Sequence, residues 1–457
     1  MQNSKTSKKE SVDLLQGKLI PNIIKYTLPL AATGILQQLF NAADIAVVGR
    51  FVGKEAMAAV GSNGPIIGLM VNFFLGISLG ANVVIAHASG QKNDRRIEKA
   101  VHTSILVAFL GGIIFSIIGE SLASVVVSVM GVPEDVSKMA LLYLRIYVAG
   151  FPVIFLYNFE AAIFRSRGNS RLPLIALLIS GIINVILNLF FVLVLNMTVD
   201  GVALATVISN FISAALLFYF LLKTDDKIKI SFKKFGIDGE VLRKILKIGV
   251  PSGLQGMVFS LSNIVVQSAI NSLGATIMAA SSAAFNLEII AYYMMNSYGQ
   301  ACTTFTGQNF GAKQTDRCRK ILKSCLFLSF ISTAIVCITI LIFGRQLLGI
   351  FNTDSGVIDA GMIRLRYIFF AYIFSFAQEV LTGYLRGFGI STIPAVSTVI
   401  GVCGTRLIWI FTVFVLRPSF TTIMQVYPIS LGITAFVMMI FAVIIRPSRK
   451  FSGKSEL

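Results

Sequence analysis

The chain has 457 residues, of which 55% are hydrophobic and 13% charged, and its mean hydropathy is +0.81. Soluble domains carry about 25% charged residues, so the composition excludes a soluble globule and predicts an all-α polytopic membrane protein. The net charge of +18 does not indicate a nucleic-acid partner, because the lysines and arginines cluster in short loops between apolar runs, where the positive-inside rule puts them.

Apolar runs of about 20 residues, enough to cross a bilayer, recur along the whole chain. Twelve spans are expected, at 22–48, 60–86, 100–119, 140–163, 171–196, 201–222, 243–272, 277–306, 320–343, 360–385, 392–416 and 423–446. The first 18 residues are polar and no small-residue cleavage site follows span 1, so that span is expected to stay in place. With the N-terminus in the cytoplasm, both tails, the loops after even-numbered spans and the adjoining span ends hold about 30 of the 39 lysines and arginines. That asymmetry predicts cytoplasmic termini on both ends. Segments 119–133 and 344–356, after spans 3 and 9, are expected as short helices at the outer interface.

The chain repeats itself. Arg165-x-x-Gly168-x-Ser170-x-x-Pro173 recurs as Arg386-x-x-Gly389-x-Ser391-x-x-Pro394, 221 residues further on. Gly90-Gln91 pairs with Gly307-Gln308, and Pro29 with Pro251. The glycines of the Arg-x-x-Gly turns suit tight turns, and Pro173 and Pro394 suit a first helical turn, which needs no backbone N–H. The expected division is a tail over 1–18, a first lobe over 19–222, a cytoplasmic linker over 223–240, a second lobe over 241–446 and a tail over 447–457. Two parallel six-span repeats suggest bundles that move against each other around a shared cavity.

Charged side chains inside spans are costly and are functional hypotheses by default. In span 1, Thr33, Gln37, Asn41 and Asp44 share one helix face, opposite an apolar one. Span 4 adds Asn158 and Glu160, span 5 adds Asn184 and Asn188 four residues apart, and span 6 adds Thr206, Asn210 and Ser213. Carboxylates, amides and a hydroxyl are hard oxygen ligands for a cation. A carboxyl in an apolar pocket can equally hold and release a proton, so both Na⁺ and H⁺ stay open.

The second half is polar in another pattern. Span 7 carries Gln255, Asn263, Gln267 and Asn271 in one register, and span 8 carries Glu288, Tyr292, Asn296 and Gln300. Span 10 has Gln378 and Glu379, and span 11 has Arg406. Glu379 and Arg406 are expected either as a neutralising ion pair or, with Gln37, Asn41, Asn263, Gln267, Glu288, Tyr292 and Asn296, as part of a substrate cavity. No base near Glu288 is evident in the sequence. Asp44 and Thr206 have no counterpart in the second half, so the acid-and-amide cluster, and the coupling ion, are expected in the first half only.

Enzymatic chemistry finds no support. HExxH and the full Gly-x-x-x-x-Gly-Lys-Ser/Thr phosphate-binding loop are missing from the sequence, and the GxSxG match at Gly76-Ile77-Ser78-Leu79-Gly80 lies inside the apolar run of span 2. The five cysteines form no CxxC, and His87 and His102 flank the basic loop at 92–99 without forming a metal pair. No metal and no organic cofactor are expected.

These features together resemble the multidrug and toxic compound extrusion (MATE) family over residues 19 to 446. The resemblance is carried by Pro29…Gln37…Asp44-Ile-Ala-Val-Val-Gly49, Ala58-Ala59-Val60-Gly61, the two Gly-Gln pairs and the two Arg-x-x-Gly-x-Ser-x-x-Pro turns. It implies two six-helix lobes forming a V around a central cavity, with alternating access. It also implies export of amphiphilic, often cationic drugs in exchange for Na⁺ or H⁺. By the same resemblance the ion site falls on Asp44, Asn184, Asn188 and Thr206, with Asn158 and Glu160 close by. Relatives often have an acid where Asn188 stands, and some have an acid on span 7 that this chain lacks; Glu288 is then a candidate for that role. The implied setting is a bacterial cell membrane, with the lipid bilayer and small-molecule drugs or metabolites as partners and the protein a monomer. A flippase for lipid-linked precursors is the alternative within the same superfamily.

Overall fold

The computed structural model describes residues 12–129, 133–224 and 226–452, apart from the side chain of Asp135. Most of the two expected tails, at 1–11 and 453–457, therefore lies outside the described residues. Among the described residues every regular element is helical. The helices are α1 (Leu19–Phe51), α2 (Lys54–Gly90), α3 (Asp94–Val129), α4 (Glu134–Ala149), α5 (Phe151–Ser166), α6 (Arg171–Val194) and α7 (Val199–Lys223). They continue as α8 (Gly239–Asn271), α9 (Ala275–Gly311), α10 (Thr315–Ile342), α11 (Gly344–Gly349), α12 (Ser355–Gly387), α13 (Thr392–Phe414), α14 (Phe420–Ile445) and α15 (Pro447–Lys450).

Ten of these helices are long and apolar enough to cross a membrane, and the pair α4 and α5, bent by 48° at Gly150, makes an eleventh span. The twelfth, α12, has 33 residues, about 50 Å at 1.5 Å per residue, but it also carries Arg364, Arg366, Glu379 and Arg386. Its length spans a bilayer while its charges hide it from an apolarity test. The bend in span 4 was not expected. Its cause is Gly150-Phe151-Pro152: Pro152 starts α5, where the missing N–H costs nothing, and it prevents α4 from running on.

The repeat is visible in the backbone. Gly168 and Gly389 both adopt left-handed φ, at 83° and 84°, which only glycine accepts without strain. Lys92 and Lys313 do the same just past the ends of α2 and α9, each 37 residues long. That alignment corrects the expected Gly-Gln pairing. The true partner of Gly90 is Gly311, while Gly307 lies one turn inside α9. The segment over 119–133 is also different from expectation: α3 runs unbroken to Val129, and residues 130–132 lie outside the described residues. In the second half a separate short helix, α11, does follow α10.

Two compact units result, one built on Ala32–Gly249 and one on Asp13–Ala31 with the chain from Val250 onward. These boundaries are displaced from the expected lobes. The first turns of α1 pack with the second unit, where Tyr26 Oη donates to Thr304 Oγ1 at 3.2 Å and its ring meets Phe305 edge-on. The segment expected as the cytoplasmic linker is fastened to the first unit. Arg167 holds Asp226 through two bonds of 2.8 and 3.1 Å, and Lys99 holds Asp238 at 2.6 Å. His102 bridges the carbonyl of Glu98 and the backbone of Ser231. The start of α8 follows, and a side chain at Gly80 would collide with the backbone of Ile245 and Gly249.

Candidate functional site

The polar stripe on α1 meets α6 and α7 inside the first unit. A Cβ at Gly181 would overlap the ring of Phe40, so the glycine lets α1 and α6 approach closely. One turn beyond that contact, Asp44 is 6% exposed, Asn184 4%, Thr206 9% and Asn188 fully buried. Asn188 Nδ2 donates to Asp44 Oδ1 and, at 3.3 Å, to Asn184 Oδ1. Thr206 Oγ1 lies 3.1 Å from Asp44 Oδ2 but also 2.9 Å from the carbonyl of Val202. A hydroxyl has one proton to give, so Asp44 Oδ2 receives at best a shared one. Asn188 Oδ1 has no hydrogen-bond partner among the described residues.

Carboxylate, amide and hydroxyl oxygens thus converge, and one amide oxygen is left unsatisfied beside a buried acid. No lysine or arginine among the described residues pairs with Asp44. Oxygen donors of this kind are hard-cation ligands. A single carboxylate balances a single positive charge, so a monovalent cation or a proton leaves the cage neutral, while a divalent ion would leave a buried net charge. No group of three or more His, Cys, Asp or Glu side chains gathers among the described residues.

Asn158 and Glu160, expected beside Asp44, do not join the cage by any hydrogen bond. Asn158 donates to the carbonyl of Ile154 at 2.8 Å. Glu160 is fully buried and neither of its carboxyl oxygens has a hydrogen-bond partner among the described residues. Asn210 and Ser213 are satisfied by carbonyls of their own helix. Gln37 is half-buried and Asn41 exposed.

In the second unit the expected pairing is wrong in one respect. Glu379 and Arg406 form no ion pair: Glu379 accepts from Asn296 at 3.3 Å, and Asn296 accepts from Gln300 at 2.8 Å. Arg406 instead donates to Asn263 Oδ1 at 2.8 Å and to Ser430 Oγ at 3.4 Å. Nor is Glu288 without a base. Arg364 grips it with two bonds of 2.9 and 2.7 Å and donates a third, of 2.6 Å, to Ser281. Both are about 5% exposed or less, so Glu288 is neutralised. Tyr292 is half-buried, and Gln267, exposed, donates to Asn271.

Sequence reasoning missed Arg364, near the start of α12. A signal was present. On a helix Arg364 shares a face with Ser375, Gln378 and Thr382, all buried, whereas Arg366 is exposed on the other side. Arg386, read as a turn residue, also reaches Gln255 at 2.7 Å, and Gln255 in turn bonds Thr398 at 2.9 Å.

The model of one family, MatE, matches residues 29–190 and again 251–412, once in each half. A probable multidrug resistance protein YoeA of Bacillus subtilis is 29% identical over 397 residues, 84% of each chain. A probable multidrug resistance protein NorM of Thermotoga maritima is 25% identical over 392 residues, 84% of this chain and 83% of that one. Among solved structures, a MATE protein in complex with MaL6 superposes with a TM-score of 0.90 at 20% identity, over 96% of this chain and 99% of that one. An outward-facing multidrug resistance MATE family transporter gives 0.88 at 22% identity, with the same coverage.

Proposed function

The chain belongs to the MatE family, and from that footing we propose that it is a secondary active transporter that exports amphiphilic, often cationic compounds in exchange for Na⁺ or H⁺. The observation that carries the reading is the Asp44 cage, a buried acid with no basic partner among the described residues and an unsatisfied amide oxygen beside it. Such a group is costly when empty, so its occupancy by a small cation can bias one arrangement of the protein over another. A ligand shifts a conformational equilibrium only by its differential affinity for the two states. Cation binding in one state and drug binding in the other then couple the gradient to export. The names of the relatives and the duplicated frame support the same reading. The charge asymmetry of the loops supports a cell-membrane protein with both termini in the cytoplasm.

The runner-up is a flippase for lipid-linked precursors, which calls for several free cationic side chains. The second buried arginine, Arg364, is the observation in its favour. That guanidinium is spent on Glu288, which leaves the antiporter the better reading.

The test is uptake of a cationic dye into liposomes holding the purified protein, with Na⁺ and H⁺ gradients imposed separately. Wild type should move dye with one of the two gradients, and Asp44→Asn should move none while remaining folded. Normal flux by Asp44→Asn would remove the mechanism.

A further inference from the structure

We propose that Arg406 anchors an anion site inside the second unit, one that takes the carboxylate of an anionic or zwitterionic amphiphile. The proposal deepens the transporter reading by adding a second substrate class, and it rests on that reading for its purpose only.

The charge balance of the unit carries the inference. Arg364 and Glu288 neutralise each other through two hydrogen bonds. Arg406 is just as buried, at 2% exposure, yet no carboxylate among the described residues lies within ion-pair distance of it. Its Nη1 and Nε reach only a neutral amide and a hydroxyl, and Nη2 makes no hydrogen bond among the described residues. The rings of Tyr427 and Phe259 lie 4.5 and 5.4 Å from the guanidinium carbon. Ring faces attract a cation but do not cancel its charge. The carboxylate whose charge reaches Arg406, that of Glu288, is bonded to Arg364, so this buried charge lacks a counterion of its own.

Two further observations mark the place as a site. Asn263, the residue that Arg406 holds, is exposed, so the cluster reaches the surface of its unit. Arg406 also sits on a five-residue α-helical piece, Thr405–Trp409, between two π-helical segments, Val399–Gly404 and Ile410–Phe414. Such segments are rare and concentrate at functional positions. The later one has a counterpart in the first half, Phe190–Val194, whereas the stretch matching the earlier one is ordinary α-helix within Arg171–Leu189.

The ligand class follows from the chemistry. A guanidinium fork matches a planar carboxylate with two parallel bonds. The aromatic rings on the guanidinium favour a ligand with an apolar or aromatic body. A cation is repelled by Arg406. A lipid phosphate shares the anionic chemistry, so the test must separate the two sources.

Trp409, the single tryptophan of the chain, lies three residues beyond Arg406 on the same helical piece. It can excite a dansyl group bound nearby. The experiment titrates purified wild-type protein in nanodiscs with dansylglycine and with its uncharged methyl ester, reading dansyl emission sensitised by Trp409. The expected result is saturable binding of the acid at least about tenfold tighter than of the ester, the size of a charge-assisted hydrogen bond. Arg406→Gln should abolish that preference. Should Arg406→Gln fail to fold, wild type suffices: its unfolding temperature should rise with dansylglycine and not with the ester. A preference that survives Arg406→Gln, or equal binding of acid and ester, overturns the proposal. Displacement of dansylglycine by anionic lipid but not by a soluble carboxylate such as benzoate also overturns it, in favour of a headgroup site. Binding of dansylglycine without cation-driven dye flux would count against the transporter reading alone. Flux without binding would count against this site alone.

Discussion

The Asp44 carboxylate is buried, and no base among the described residues compensates it. Its position on a polar face was legible from the spacing of Thr33, Gln37, Asn41 and Asp44, because helical periodicity is a sequence property. The company it keeps was legible only in part. Asn188 and Thr206 bond to it and Asn184 bonds Asn188, while Asn158 and Glu160 make no hydrogen bond to it, because which residues of neighbouring helices bond is decided by packing rather than by spacing. Replacing Asn188 by leucine removes a donor and an oxygen ligand from the cage. A hydrogen bond to a charged group is worth about 1.5–3 kcal/mol, so the cation concentration for half-maximal dye flux should rise about tenfold or more. An unchanged half-maximum would take Asn188 out of the site. Glu288 is a structural residue in this account. Glu288→Leu leaves Arg364 buried and unpaired, which costs about 3–5 kcal/mol, while the double variant Glu288→Leu with Arg364→Met should recover most of it. Thermal unfolding in detergent measures both, and a double variant no better than the single one would contradict the pairing.

Among the elements, the helices were readable from apolar runs and their ends from basic loops, yet three features escaped. The bend at Gly150 depends on Pro152, a residue that looks harmless inside an apolar run. The π-helical segments around Arg406 leave no trace in hydropathy. The extension of α3 to Val129 carries Glu120, whose charge is met by Arg145 at 3.0 Å, so a polar residue that reads as a span end is accommodated within one helix. The approach of α1 to α6 rests on Gly181. Gly181→Ala drives a methyl group into the ring of Phe40, and an aromatic ring packed between helices has little room to move. Overpacking of this kind costs about 1–3 kcal/mol. The expected outcome is a folded protein with weakened cation dependence of dye flux, restored by Phe40→Leu in the same chain. Failure of Phe40→Leu to restore it would show that the glycine matters for another reason.

At the scale of the whole molecule, the duplicated frame was legible because turns leave fixed signatures: Gly168 and Gly389 share one backbone conformation, and so do Lys92 and Lys313. The division into units was less so. A charged segment between repeats reads as a cytoplasmic linker, but here four of its charges are matched: Asp226 to Arg167, Asp238 to Lys99, Lys227 to Asp94 and Lys234 to Glu98. Complementary charges far apart in sequence cannot be paired from composition. The hydrogen bond from Lys99, with help from the N–H of Val241, holds the half-buried Asp238 carboxyl below its ordinary range. The folded state therefore binds this proton less tightly than the unfolded one, whose carboxyl titrates near about 3.9. The contribution of the clip is complete above that pH and fades as the pH falls through the lower folded-state value. Hydrogen exchange over residues 226–238, corrected for its intrinsic pH dependence, should stay protected from pH 7 down to about pH 4. Asp238→Asn should expose the lysines of this segment to trypsin at neutral pH; wild-type resistance in that variant would mean the other pairs suffice.

The central claim is that one monovalent cation or proton occupies the cage around Asp44. Calorimetric titration of the purified protein with Na⁺, paired with measurement of protons taken up or released on shifting pH, addresses it without any assumption about substrate. The account predicts one saturable cation or proton per chain in wild type, its loss in Asp44→Asn, and its retention in Glu160→Gln. Undiminished binding by Asp44→Asn would contradict the account.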